Sequence, residues 1–113
     1  MSDGSSVPPE TAQELARPIV APELVRQTVA RGFLTGQMQA CGLDWQETSF
    51  FPYMAAVRAP RRYSDKQLVF VGMLHGFSQA MAAQEMAERG APCSEAERQW
   101  LVRAVRAMAV TTP

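Results

Sequence analysis

The sequence predicts an all-α protein, a single-domain four-helix bundle-like fold in which an up-down-up-down order is favoured. Apolar residues recur at spacings of three and four, and no segment alternates apolar and polar residues over the length of a strand. "SDKQ" at 64–67 and "SEAE" at 94–97 have the capping-box pattern that begins helices. The chain has 113 residues, 47% of them hydrophobic, which is enough for one apolar core.

Prolines in first turns, capping boxes and glycine stops predict where each helix begins and ends. The predicted helices cover approximately residues 22–41, 45–58, 64–89 and 94 onwards. Pro52 interrupts the second of these, so an alternative start lies near Ser49, with Pro52 in the opening turn. We expect residues 1–21 to form a flexible lead with a short extra helix or an extended arm, and residues 22–110 to form the helical domain.

Two stretches of the chain resemble each other: "GFLTGQMQA" at 32–40 and "GMLHGFSQA" at 72–80. Over the 15 positions of 26–40 and 66–80, seven residues are identical, which leaves an internal duplication open. A glycine inside a helix costs about 1 kcal/mol relative to alanine, so packing must offset the cost of the four glycines that the two stretches share. These are Gly32, Gly36, Gly72 and Gly76. We expect helices one and three to cross closely at these strips; in the alternative, one strip forms a homodimer or partner interface.

The two cysteines, Cys41 and Cys93, are predicted to lie at the same end of the bundle. Cys41 ends helix one and Cys93 precedes helix four, and helices one and three run in the same direction in an up-down-up-down order. A disulfide is therefore allowed, and closing so long a loop would stabilise the fold by about 3–4 kcal/mol. Such a bond would also imply an oxidising compartment. The sequence leaves open whether it forms.

His75, the one histidine, falls between the two glycines of the second strip. A general base needs a nucleophile or an acid nearby, and the helix interior around His75 has no Asp or Glu. We interpret His75 as a core or interface histidine that is hydrogen-bonded to a neighbour, and as the first candidate if either strip carries function. We found no nucleophile–base pair, metal-ligand spacing or phosphate loop, so we expect no enzyme activity, no cofactor and no metal site.

Charge and hydropathy narrow the classes of partner. The 11 basic and 11 acidic residues give a formal net charge of zero, which argues against a nucleic-acid partner. The longest charge-free run, 67–84, contains several polar residues, so we expect no transmembrane segment. The first residues lack the pattern of a signal peptide, which predicts a cytoplasmic protein; the alternative is a periplasmic or secreted protein whose signal has been removed.

Together these observations predict a small non-enzymatic helical protein that acts through protein–protein contacts. It would work as a homodimer or as an accessory subunit of a larger assembly. The alternative is an exported, periplasmic protein, stapled by its disulfide, with a binding or chaperone-like role.

Overall fold

The computed structural model describes residues 19–108, which form four α-helices and one π-helical segment, with no strand in that part of the chain. The elements are α1 (Pro22–Ala40), the π-helical segment (Gln46–Phe50), α2 (Phe51–Arg58), α3 (Asp65–Arg89) and α4 (Glu95–Ala107). The all-α prediction is therefore confirmed over these residues. The predicted N-terminal lead, residues 1–21, lies outside the described part except for residues 19–21.

Both predicted capping boxes are present. The Ser64 hydroxyl accepts a hydrogen bond from the Gln67 backbone N–H, and the Gln67 side chain accepts one from the Ser64 N–H. Ser94 and Glu97 make the same reciprocal pair at the start of α4. At the other end of α3, Gly90 has a φ of 70°, the left-handed conformation that stops a helix. Local sequence thus determines the ends of α3 and the start of α4.

The second predicted helix is divided into the π-helical segment and α2. The Phe51 N–H bonds to the carbonyl of Gln46, five residues back, and Pro52 lies in the first turn of α2. A proline is tolerated there because the first turn has no intrahelical partner for its missing N–H. The wider π-helical turn contains Ser49, whose side chain is fully buried.

Helices α1 and α3 lie side by side and run in the same direction, as the sequence predicted. The Thr35 hydroxyl lies 3.0 Å from Nε2 of His75, and the Gln79 side-chain amide donates to the Gln39 side chain at 2.7 Å. Moving four residues along α1 therefore moves the contact four residues along α3. Both pairs are separated by 40 residues, which is also the offset between the two similar stretches.

The first glycine strip makes this close approach possible. A Cβ atom added to Gly36 would lie 2.2 Å from the carbonyl oxygen of Gln79, and one added to Gly32 would lie 2.6 Å from that of His75. Backbone atoms of α3 cannot move aside as the end of a flexible side chain could. Glycine is therefore required at both positions of α1.

The second strip is placed differently. Among the described residues, a Cβ atom on Gly76 would meet nothing within 4 Å, and one on Gly72 would touch only the Met54 methyl group at 3.9 Å. Towards the glycines of α1, α3 instead presents Ser78 and Ala82. The expectation that both strips meet in the crossing is thus wrong for the second strip, because α3 is rotated so that Gly76 is exposed.

The interior contains two apolar clusters, one towards each end of α1. The first has as its buried members Val20, Leu24, Tyr53, Met54, Val57 and Val71. The second has Met38, Cys41, Leu101 and Val105. Among the described helices, α1 is the one that supplies buried side chains to both clusters, so α2, α3 and α4 are positioned relative to it.

A disulfide joins Cys41 to Cys93, with their Cα atoms 5.5 Å apart. It ties the residue that follows α1 to the loop that precedes α4. The bond that the sequence left open is therefore present, and both cysteines lie at the same end of the molecule, as predicted.

Replacing both cysteines by serine should lower the free energy of unfolding by about 4 kcal/mol, the chain-entropy value for a loop of this length. The sequence separation of the two cysteines is 52 residues. Urea unfolding of the oxidised protein and of the double variant measures the difference. A loss below about 1 kcal/mol would show that the bond adds little to the stability of the fold.

Gly36→Ala should lower the free energy of unfolding by about 3 kcal/mol, because the new methyl group would overlap the backbone of α3. The matched control is Gly76→Ala, which places the same group in open space and should raise the stability by about 0.5–1 kcal/mol through helix propensity. Chemical unfolding in dilute solution compares the two. Equal effects at both positions would contradict the described orientation of α3.

Candidate functional site

A layer of polar side chains lies between the two apolar clusters. It consists of Thr28, Arg31 and Thr35 from α1, Ser49 from the π-helical segment and His75 from α3; we call it the polar layer. All five side chains are buried, and Arg31, the most exposed of them, is 4% exposed. Buried polar groups are unfavourable unless they are hydrogen-bonded, so their partners decide what this layer does.

Arg31 connects three elements. Its Nε donates to the Ser49 hydroxyl at 2.9 Å, its Nη2 to the Ser49 carbonyl at 3.1 Å, and its Nη1 to the Val105 carbonyl at 3.2 Å. The guanidinium carbon lies 5.5 Å from the centre of the Tyr53 ring. Burial lowers the pKa of Arg31, and Tyr53 opposes that shift. No ion pair found among residues 19–108 includes Arg31. Its positive charge is therefore stabilised by hydrogen bonds to uncharged oxygens.

The hydroxyls of Thr35 and Ser49 determine the tautomer of His75. The Thr35 O–H donates to the Arg31 carbonyl at 2.8 Å, and the Ser49 hydroxyl lies 2.6 Å from the Thr35 oxygen. Because the single Thr35 proton goes to that carbonyl, Ser49 must donate to the Thr35 oxygen, while the Ser49 oxygen accepts from Arg31. The remaining contact at Thr35 requires His75 to donate through Nε2–H. One arrangement of protons thus satisfies every hydrogen bond in this part of the layer.

Nδ1 of His75 is then an acceptor, and it has no hydrogen-bond partner among residues 19–108. The imidazole is packed between aromatic rings, with ring centres 4.9 Å from Phe50 and 6.0 Å from Tyr53. Burial, and secondly the charge of Arg31, lower the pKa of His75 to about 4. His75 is therefore neutral in the folded protein near pH 7, and solvent does not reach it.

Sequence reasoning singled out His75 but missed the rest of the polar layer. A signal was present: Thr28, Arg31 and Thr35 are spaced i, i+3, i+7 and share a face of α1 with Gly32 and Gly36. An arginine on a glycine-lined helix face is a candidate for burial. The position equivalent to His75 in the first stretch is Thr35, and the structure brings these two residues together.

The buried histidine should make stability depend on pH below neutrality. The unfolded state takes up a proton near pH 6.5, whereas native His75 does so only near about 4, so acidification favours unfolding. The free energy of unfolding should be about 2 kcal/mol lower at about pH 5 than at about pH 7.5. Urea unfolding across this range measures the loss, and His75→Gln should remove most of the pH dependence. A His75 NMR titration near pH 6.5 in the native protein would contradict this assignment.

The outer side of α3 carries large apolar side chains. Val69, Met73 and Phe77, spaced i, i+4, i+8, are 60%, 68% and 69% exposed, and Gly76 lies beside Phe77. We call these four residues the apolar face of α3. Since residues 67–84 include no charged residue, the face is bordered along the helix by uncharged side chains. Such a continuous exposed apolar strip is typical of a contact surface.

Two further properties concern ions and membranes. Within residues 19–108, no three His, Cys, Asp or Glu side chains are grouped so that they could hold a metal ion. No helix in this part of the chain is long and apolar enough to cross a membrane. Comparison with protein-family models, with curated proteins and with solved structures yields no match to this chain.

Proposed function

We propose that this chain is a small non-enzymatic helical protein that acts through protein contacts, and that it associates with a second copy of itself through the apolar face of α3. The observation that carries the proposal is the exposure of Val69, Met73 and Phe77 along one line of a helix. Removing such side chains from water contributes a favourable term of about 25 cal/mol per Å² of apolar surface, from which the entropic cost of association is subtracted.

The chemistry of this face supports a second copy as its partner. In a two-fold dimer the same patch meets itself, so a charge in the patch would meet an identical charge. The charge-free run 67–84 avoids that repulsion along the whole contact. A partner recognised by charge would need a complementary charged surface, and this part of α3 offers none.

The glycine at the centre of the face supports a helix as the contacting element. In α1, glycines four residues apart let a neighbouring helix approach within backbone contact. Gly72 and Gly76 repeat that spacing on α3, and the space around Gly76 is open. Two α3 helices crossing at Gly76 would place Met73 and Phe77 of each copy beside the crossing point.

A second candidate function is an exported, disulfide-stapled protein with a binding or chaperone-like role in the periplasm. The Cys41–Cys93 disulfide favours it, since such bonds persist mainly in oxidising compartments. The two candidates are compatible in part, because an exported protein can also be a homodimer. An accessory role in a larger assembly would use the same apolar face.

For the arrangement of the helices, we propose the up-down-up-down order. The parallel contact of α1 with α3 supports it, as does the disulfide between the end of α1 and the start of α4.

Sedimentation equilibrium tests the self-association. The wild-type protein should form a dimer, and Phe77→Ser should weaken the dimer at least about tenfold by removing a large apolar contact. Trp100→Ser is the matched control, because Trp100 is an aromatic residue on α4 that is 52% exposed. A wild-type protein that remains monomeric at millimolar concentration, or equal weakening by both variants, would contradict the proposal.

Thiol labelling of protein isolated from its native source tests the exported alternative. If the protein is exported, neither Cys41 nor Cys93 should react until a reductant is added. Two reactive thiols in the native isolate would rule out the oxidising compartment and leave the homodimer proposal standing.

A further inference from the structure

A cavity of about 450 Å³ opens over the polar layer, with Arg31 among its lining residues. Thr48 and Arg106 supply a hydroxyl and a second cationic side chain to its lining. The remaining lining residues are Glu47, Pro52, Val105 and Met108. The elements that form this Arg31 cavity are α1, the π-helical segment, the first turn of α2, and α4 with the residue that follows it.

The charge of Arg31 lacks a counter-charge in the described structure. Its guanidinium has five N–H groups and makes three hydrogen bonds, all to neutral oxygens of Ser49 and Val105. One N–H on each terminal nitrogen is left over. A buried cation without an anionic partner is unfavourable, so pairing Arg31 with an anion would offset part of the cost of burying its charge.

We propose that the Arg31 cavity binds a small organic carboxylate, with its carboxyl group on Arg31 and its hydrocarbon part against Pro52 and Met108. A guanidinium recognises the two oxygens of one carboxylate through two N–H groups in a planar, paired geometry, and Arg31 has one N–H unused on each terminal nitrogen. Arg106 and Thr48 also line the cavity and would offer this carboxylate a second positive charge and a hydroxyl donor.

The apolar part of the lining favours a carboxylate that carries a hydrocarbon chain over a bare inorganic anion. Pro52, Val105 and Met108 can shield such a chain from water, while a fully hydrated anion would gain nothing from them. A volume of about 450 Å³ falls within the usual range of small-molecule pockets. A chain of a few carbon atoms is thus the expected size.

The Glu47 carboxylate could pair with Arg31 in place of an external carboxylate. It lines the same cavity but forms no ion pair with Arg31 in the described structure. Its charge should repel an incoming carboxylate, so removing that charge should strengthen binding. If Glu47 instead turns inward in solution to neutralise Arg31, removing its charge should destabilise the protein. Removal of the Glu47 charge therefore distinguishes the two roles: it should strengthen carboxylate binding in the first and lower the stability of the protein in the second.

The test is a titration of ¹⁵N-labelled protein with hexanoate, followed by amide NMR shifts and matched by a titration with hexanamide. Hexanoate should cause saturable shifts at Thr48, Arg106 and Met108, and hexanamide should not, because it has the same chain without the charge. No saturable shift with hexanoate, or equal shifts with both compounds, would overturn the proposal.

Three variants assign the binding to the cavity without disturbing Arg31 itself. Arg106→Gln should weaken hexanoate binding roughly tenfold, the loss expected for one charge-assisted contact. Arg103→Gln is the control, since Arg103 is an exposed arginine of α4 that does not line this cavity, and it should leave the affinity unchanged. Glu47→Gln should tighten binding. Equal weakening by both arginine variants, or a destabilised Glu47→Gln protein that binds no hexanoate, would overturn the proposal.

The Arg31 cavity is separate from the apolar face of α3, which lies on a different element. Loss of hexanoate binding would leave the proposed dimer untouched, and a monomeric protein could still bind hexanoate.

Discussion

The approach of the α3 backbone to Gly32 and Gly36 is the constraint on which the rest of this structure depends. With a side chain at either position, the two helices would have to separate. Their closeness brings His75 to Thr35 and Gln79 to Gln39, and these hydrogen bonds fix the register of the parallel pair. The same rotation of α3 turns Gly76 and Phe77 outward. The interior contact therefore also creates the exposed apolar face.

Close packing of these helices also has a chemical consequence in the interior. Arg31 and His75 are held away from water, and both are accommodated by neutral partners. Because Arg31 bonds to carbonyls and a hydroxyl, its charge is oriented but remains without a counter-charge among the described residues. We interpret these polar groups as determinants of helix register, which is the best-attested role of buried polar residues. In this chain they lie between the two apolar clusters along α1.

Local signals made the helices predictable from the sequence. Ser64 and Ser94 start their helices through contacts within four residues, so no tertiary information is needed. The outward rotation of Gly76 was not predictable, because both strips have the same glycine spacing and only the packing of neighbouring side chains distinguishes them. Burial of Arg31 was missed for a similar reason: its acceptors, Ser49 and Val105, lie 18 and 74 residues away.

Proton–proton contacts across the α1–α3 crossing test the central claim most directly. In an NMR spectrum of the native protein, the Hα protons of Gly36 should show strong cross-peaks to the Ala82 methyl group, since a Cβ built on Gly36 would lie 2.8 Å from that of Ala82. The Hα protons of Gly76 should show no cross-peaks to α1 within the same chain. Absence of the Gly36–Ala82 contact, or an intramolecular contact from Gly76 to α1, would contradict the account.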